Sequence, residues 1–218
     1  MFEDQGTGLC ISLEDLGLGS QPTLPGSFSL GADLVAASGD KLLGGPQCGL
    51  LAGRVDLIER IHKNPLLRTF RVDKLTYAAL EATLMDYVSG RTDSIPIVRM
   101  LRALPEEVLK RCEWIASQVN STNLNTDVVP VFSLIGGGTA PAARLQSSAV
   151  ALRHKVIQSH VLLHLMRQFD PAVIGRVSED RVLLDLRTVE PEVDKTLAAL
   201  LQHVAQSDAA FLPDSPSR

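Results

Sequence analysis

Short apolar runs separated by glycine and proline occupy the first quarter of the chain, at residues 9–11, 34–37 and 49–52. Runs of this length bounded by turn-forming residues are typical of β-strands. The apolar positions of residues 56–62 then recur at helical spacing, and Pro65 follows them, which predicts a helix that ends before the proline. This succession of strand, strand and helix predicts an α/β layer.

Three further helices are predicted from their boundary residues and apolar faces. One begins after Asp73, a favourable N-cap, and ends at Gly90; the others begin at Pro105 and Pro191, since proline is favoured in a first turn. Each helix has one apolar face that is expected to face the core. In the first helix this face consists of Leu80, Leu84 and Tyr87, and in the second of Val108, Cys112, Ile115 and Val119. In the third helix it consists of Val193, Leu197, Leu200 and Val204.

The second half of the chain has the pattern of a small mixed unit. Residues 128–135 predict a strand and residues 156–169 a helix. Residues 173–177 and 182–186 are two apolar runs around a Ser-Glu-Asp turn, which predicts a β-hairpin.

The polar, turn-rich segment 121–126 predicts a domain boundary. We therefore expect residues 1–120 to form part of a large α/β domain with connecting helices. Residues 121–212 are expected to form a small α+β domain, and residues 213–218 a frayed tail.

Composition narrows the class of protein. The 218 residues are 45% hydrophobic and 21% charged, which predicts a folded globular protein. A net charge of −4 provides no basic footprint for nucleic acid. We therefore expect no DNA partner, and any contact with RNA must come from elsewhere. The first eight residues lack the pattern of a signal peptide, and no apolar stretch reaches the roughly 18 residues of a membrane span. Three widely spaced cysteines exclude a disulfide framework. We expect a cytoplasmic protein that does not bind membranes.

Lys41 lies in the sequence SGDKLLGGPQ, residues 38–47, between a run of small residues and a glycine-rich turn. An aldehyde cofactor needs an unhindered amine, and glycines allow a close approach of the backbone. Lysines in glycine-rich turns are also common at protein surfaces. Spacing alone therefore leaves a Schiff-base lysine and an exposed turn lysine both open.

Longer motifs support the first interpretation. Residues 31–35 (GADLV), 38–47 and 64–75 (NPLLRTFRVDKL) resemble the signature of bacterial selenocysteine synthase, the L-seryl-tRNA(Sec) selenium transferase family. Further matches in order are residues 136–139 (GGGT), 173–176 (VIGR) and 183–189 (LLDLRTV). The resemblance covers nearly the whole chain and is to the carboxy-terminal half of the family's proteins.

The resemblance implies a fold-type-I enzyme that uses pyridoxal 5'-phosphate, with Lys41 as the Schiff-base lysine. It implies that Asp4 pairs with the pyridinium nitrogen, so that the ring can act as an electron sink. Ser38, three residues before the lysine, is expected to bind the cofactor phosphate. Asp40 is expected to position the substrate or tune the amine, although an exposed turn aspartate is equally consistent with the sequence.

Arg68 and Arg71 are three residues apart and would point the same way in a helical or tightly turned segment. Such a pair can bind one anion, and the resemblance assigns it to the selenium donor or a nearby phosphate. A solvated basic edge is the alternative. His160 and His164 have helical i, i+4 spacing but lack the glutamate of an HExxH motif, so no metal site is predicted.

The function that the resemblance implies is the conversion of seryl-tRNA(Sec) to selenocysteinyl-tRNA(Sec) with selenophosphate. The β-hydroxyl is lost and selenium then adds, in a homo-oligomer built from dimers. Family members carry a long additional N-terminal part, so a shortened form is expected here. The alternatives are a related pyridoxal-phosphate lyase acting on an amino acid or amino sugar acid, and a fragment without catalytic activity.

Overall fold

The computed structural model describes residues 1–16, 20–136, 140 and 143–206. The chain forms two compact units. The first consists of Met1–Arg102 and Leu134–Leu145, and the second of Ala103–Ser133 and Gln146–Arg218. The predicted tail, 213–218, lies outside the described residues.

The first unit contains a three-stranded sheet. Its strands are β1 (Phe2–Gly6), β2 (Leu34–Ser38) and β3 (Gly49–Gly53), in the order β1-β2-β3. β2 runs parallel to β1 and antiparallel to β3. The helices of this unit are α1 (Leu24–Ser29), α2 (Val55–His62), α3 (Lys74–Val88) and α4 (Pro96–Arg102), with 3-10 helices at Glu14–Leu16, Pro65–Phe70 and Thr92–Ser94.

Local sequence signals explain the limits of α3. The Asp73 carboxylate accepts a hydrogen bond from the Thr76 backbone N–H at 2.9 Å, as an N-cap residue does. Gly90, with φ of 70°, follows the helix end. The predicted start of α3 after Asp73 and its end near Gly90 are therefore confirmed. The predicted strands β2 and β3 and the predicted helix over residues 56–62 are confirmed as well. Neither α2 nor α3 buries any residue completely.

The prediction of a strand at residues 9–11 is wrong. β1 lies earlier in the chain, and Gly6 and Gly8, with φ of 71° and 70°, turn the backbone after it. Leu9 instead lies fully buried in an apolar cluster. The buried members of this cluster are Leu9, Leu13, Leu42, Leu101, Ile135, Ala140, Ala143 and Leu145.

The second unit is built on a four-stranded sheet. Its strands are β4 (Leu124–Leu134), β5 (Arg144–His154), β6 (Arg176–Ser178) and β7 (Arg181–Asp185), in the order β4-β5-β7-β6. β7 is antiparallel to both β5 and β6. The helices are α5 (Pro105–Gln118), α6 (Ser159–Met166) and α7 (Asp194–Gln206).

The hairpin predicted in this unit is confirmed, with a shorter first strand. Glu179 and Asp180, with φ of 50° and 55°, form its two-residue turn. Positive φ at both central residues matches the right-handed twist of the paired strands. The helix predicted over residues 156–169 is also shorter, because α6 covers only Ser159–Met166.

The division between the units differs from the predicted boundary at residues 120/121. Val108, Cys112 and Ile115 of α5 are buried in one apolar cluster with residues of β5, β7 and α7. Helix α5 therefore belongs to the second unit, and the first part of that unit begins at Ala103. Residues 124–126, expected in the boundary, begin β4. Strand β5 was not predicted.

In the described part of the chain, no helix combines the length and apolar character needed to span a membrane.

Candidate lysine-centred active site

Lys41 lies in the connection between β2 and β3. We call residues 39–45 the lysine loop. Leu42 N–H donates to the Thr7 carbonyl at 2.9 Å, and Gly39 N–H donates to the Cys48 carbonyl at 2.9 Å. Because β1 and β2 are parallel, their carboxyl ends meet at one edge of the sheet, which is where ligands bind in α/β proteins. The lysine loop is fixed at that edge.

Glycines allow this loop to pack closely on its own surroundings. A Cβ on Gly39 would lie 2.6 Å from the Pro46 carbonyl oxygen and 2.7 Å from the Cys48 sulfur. Gly44 has φ of 77°, and a Cβ there would lie 2.5 Å from Ile95. The backbone of the loop itself thus requires glycine. Packing within the loop is therefore one reason for these glycines, and the approach of a cofactor stays a prediction.

The amine of Lys41 is accessible to solvent. Its side chain is 40% exposed, and Nζ lies 3.6 Å from a carboxylate oxygen of Asp40, whose side chain is 39% exposed. An ion pair this open is weakly held. The arrangement leaves the amine available to an aldehyde and places a carboxylate beside it.

Asp4 and Ser38 lie on the two strands that lead to this edge. Asp4, on β1, is paired in register with Ala36, and its side chain is exposed. One Asp4 carboxylate oxygen lies 4.0 Å from the Cβ position of Gly6, toward the carboxyl end of β1. Ser38 is half-buried at the end of β2. Among the described residues neither side chain hydrogen bonds to Lys41, although all three residues lie toward the same edge of the sheet.

Arg68 and Arg71 are both exposed. Arg68 lies in the 3-10 helix Pro65–Phe70, whereas Arg71 follows it with an extended backbone, φ −67° and ψ 122°. Their common direction, expected for a continuous helical turn, is therefore not imposed by the backbone. Neither guanidinium forms an ion pair within the described part of the chain. Their role as an anion site stays a prediction.

Tyr87 has a contact that sequence reasoning missed. Its hydroxyl donates a hydrogen bond to the carbonyl of Leu43 in the lysine loop, at 3.0 Å and across 44 residues of sequence. The helical pattern placed Tyr87 only on a face of α3, and no local motif signals the bond. Burial raises the pKa of the Tyr87 phenol from its ordinary value to about 12.

Two other sequence features are a histidine pair and the GGGT segment. His160 and His164 are exposed on α6, and no group of three metal-binding side chains occurs among residues 1–16, 20–136, 140 and 143–206. In the GGGT segment Gly136 is described, with φ of 79°. Residues 137–139 lie outside the described part.

Comparison with known proteins identifies relatives over nearly the whole chain. A family model described as L-seryl-tRNA selenium transferase matches residues 1–190. L-seryl-tRNA(Sec) selenium transferase of Aquifex aeolicus (strain VF5) is 40% identical over 208 residues, which are 93% of this chain and 45% of that protein. The protein of the same name from Alkaliphilus oremlandii (strain OhILAs) is 37% identical over 210 residues, 94% of this chain and 45% of the relative. The chain thus spans about half the length of the curated relatives it matches.

A solved structure has a similar fold. The structure of D-glucosaminate-6-phosphate ammonia-lyase matches with a TM-score of 0.52 and 20% sequence identity. The match covers 81% of this chain and 44% of the other. At this identity the likeness concerns the fold alone, and it confirms the predicted α/β class.

Proposed function

This chain belongs to the L-seryl-tRNA selenium transferase family, and on that premise we propose that it carries the cofactor lysine of an enzyme that makes selenocysteinyl-tRNA(Sec) from seryl-tRNA(Sec). The observation that carries the proposal is the accessible Lys41 amine in a loop at the carboxyl edge of β1 and β2. The reaction replaces the β-hydroxyl of the seryl group with selenium from selenophosphate.

The residues at this edge fit pyridoxal phosphate in their chemistry. They include a primary amine on Lys41, a carboxylate on Asp4 and a hydroxyl on Ser38. These are the groups needed to bind an aldehyde, a pyridinium nitrogen and a phosphate. Bound there, the cofactor would supply an electron sink for negative charge at the substrate Cα.

Each of these side chains has a distinct role in the proposal. Lys41 binds the cofactor covalently and, once its amine is released by the substrate, removes the proton from the substrate Cα. Asp4 holds a proton on the ring nitrogen. Ser38 donates a hydrogen bond to the phosphate. Asp40, 3.6 Å from the Lys41 amine, is proposed to help position the substrate beside that amine.

Arg68 and Arg71 are proposed to bind the anionic selenium donor. Both guanidinium groups are exposed and belong to the stretch 64–75 on which the family resemblance partly rests. An arginine can bind a phosphate through two parallel hydrogen bonds.

We further propose that the protein acts in the cytoplasm as a homo-oligomer built from dimers. Several large apolar side chains in the first unit are exposed. Phe70 is 77% exposed, and Leu75 and Val88 of α3 are each 81% exposed. Exposed apolar groups of this size mark surfaces that bind other protein surfaces when they cluster.

A lyase acting on an amino sugar acid is the second candidate, because the fold resembles that of D-glucosaminate-6-phosphate ammonia-lyase. Sequence favours the transferase, since the identity to selenium transferases is 36–40% against 20% to the lyase.

Chemical trapping tests the central assignment. Purified chain is mixed with pyridoxal phosphate, reduced with borohydride and digested. We expect the pyridoxyl mass on the peptide that contains Lys41, no label there in Lys41→Arg, and normal labelling in the control Lys63→Arg. A label on a different lysine would contradict the assignment. Release of ammonia from D-glucosaminate 6-phosphate, without selenium incorporation into seryl-tRNA, would favour the lyase.

A further inference from the structure

We propose that Tyr87 is a positioning residue that holds the lysine loop against α3 and thereby fixes the location of the Lys41 amine. The proposal rests on the proposed function for the role of Lys41. The restraint on the loop is a property of the chain alone and can be tested separately.

The hydrogen bond from Tyr87 reaches a buried part of the loop. Its hydroxyl lies 3.0 Å from the carbonyl oxygen of Leu43, a residue with no exposed surface. Water cannot readily replace a donor at such a position, and a buried carbonyl that loses its donor is costly. Tyr87 therefore satisfies a group that the loop does not satisfy through its own backbone.

One face of α3 supports the loop through packing as well. A Cβ on Gly45 would lie 3.5 Å from Thr83 Oγ1 and 3.6 Å from a methyl group of Leu80, which is ordinary contact distance. Leu80, Thr83 and Tyr87 are separated by three and four residues and so lie on one side of the helix. Two of the three residues predicted for the apolar face of α3, Leu80 and Tyr87, thus contact the lysine loop, whereas the third, Leu84, is exposed. Tyr87 adds the directional bond.

The restraint acts close to the reactive group. Gly44 N–H donates to the Lys41 carbonyl at 3.1 Å, so residues 41–44 form a turn whose third member is Leu43. A donor that fixes the Leu43 carbonyl limits rotation of the turn that carries the lysine. Covalent binding of an aldehyde depends on the location of the amine, because misplacement of reacting groups by about 1 Å is costly.

Hydrogen exchange of the full chain without cofactor tests the restraint. In Tyr87→Phe we expect the amides of residues 39–45 to exchange about fivefold faster, the effect of losing a net stabilisation of one hydrogen bond. Tyr77→Phe is the matched control, because Tyr77 lies on the same helix, is 54% exposed and makes no side-chain hydrogen bond within the described residues. Unchanged exchange in Tyr87→Phe would overturn the proposal. A rise of similar size in β1 and α1, which belong to the same unit, would also overturn it, since Tyr87 would then act on the stability of the whole unit.

A second readout connects the loop to Lys41. At a fixed, subsaturating concentration of pyridoxal phosphate, borohydride trapping on Lys41 should fall about fivefold in Tyr87→Phe and stay unchanged in Tyr77→Phe. Equal trapping in Tyr87→Phe and the unaltered chain would refute a positioning role. If Lys41 is not labelled even in the unaltered chain, the proposed function fails on its own account, and the exchange experiment still decides whether Tyr87 restrains the loop.

Discussion

Arg111 on α5 and Asp194 in the first turn of α7 form a two-point ion pair, with both N–O distances at 2.8 Å. The same guanidinium donates to the carbonyls of Leu186 and Val189 at 3.0 and 2.8 Å. Only 20% of the Arg111 side chain and 13% of the Asp194 side chain are exposed. Arg111 thus connects α5, α7 and the segment after β7 in the second unit.

We predict that Asp194→Asn lowers the free energy of unfolding by about 3 kcal/mol, because it leaves a largely buried guanidinium without its counter-charge. Glu179→Gln is the control. Glu179 pairs with Arg181 at 2.8 Å, but its side chain is 78% exposed, so its loss should change stability by less than about 1 kcal/mol. Urea unfolding followed by circular dichroism measures both. Equal effects would show that burial does not set the strength of the Arg111 pair.

Cys112 should be inert toward thiol reagents in the folded chain. It has no exposed surface, and burial, followed by the negative charge of Asp185, raises the pKa of its thiol to about 12. Only the thiolate reacts, and with its pKa raised this far the Cys112 thiol is almost entirely protonated at pH 8. At pH 8, Ellman's reagent should modify Cys48, which is half-buried, at least about tenfold faster than Cys112. Cys112→Ala should leave the observed fast phase unchanged, and loss of that phase would contradict the prediction.

Asp4→Asn should weaken binding of pyridoxal phosphate about tenfold, because a neutral amide stabilises a protonated ring nitrogen less than a carboxylate does. Glu3→Gln tests for a general charge effect, since successive residues of a strand point to opposite faces. Absorbance titration gives both dissociation constants. Similar weakening in the two variants would indicate that net charge, and not a specific contact, is responsible.

Arg68→Ala and Arg71→Ala should impair use of selenophosphate by about tenfold while cofactor absorbance persists, because the donor anion loses a charged hydrogen-bond partner. Arg60→Ala is the control from the neighbouring α2, where Arg60 is also exposed. Selenium incorporation into seryl-tRNA is measured as a function of selenophosphate concentration, and cofactor absorbance is measured in parallel. Together these measurements separate a loss of donor binding from a loss of cofactor binding. If the arginine variants lose the cofactor instead, these residues belong to the cofactor phosphate site.

The 218-residue chain alone should retain pyridoxal phosphate weakly and turn over poorly. Lys41 is 40% exposed and Asp4 lies at the surface, so water reaches a covalent link at this edge and hydrolyses it. Gel filtration after loading should remove most of the cofactor, and borohydride treatment before filtration should prevent the loss. Tight retention without reduction, accompanied by turnover, would refute this prediction.

Local signals predicted α2, α3, α5, α6 and α7, but they did not reveal the short helices α1 and α4 or the strands β1 and β5. Asp73 and Pro105 mark helix starts through backbone chemistry that acts within a few residues. Strand β1 has the sequence FEDQG, whose apolar content is too low for a strand pattern, and its place in the sheet comes from pairing with β2. Strand β5 was missed because its buried positions include Ser147 and Ser148, which read as polar positions in a sequence.

Long-range contacts explain the remaining differences. Lys41 lies at a sheet edge because strands flank its motif on either side. Those strands, and hence the position of Lys41, were predicted from the sequence. The bond between Tyr87 and Leu43 joins residues 44 positions apart and leaves no periodic signal. The boundary of the second unit depends on which apolar cluster contains the buried face of α5. Because both units have an apolar core, the sequence pattern of α5 alone does not show which of them the helix belongs to.

The first unit includes Leu134–Leu145 in addition to Met1–Arg102, and Ile135, Ala140, Ala143 and Leu145 are among the buried members of its core cluster. During synthesis from the amino terminus, this core cannot close when residue 102 leaves the ribosome. It must wait for the segment around residue 140, while α5 and β4 emerge in between. The apolar core of the first unit is therefore complete only after residues 103–133, which belong to the second unit, have been synthesised.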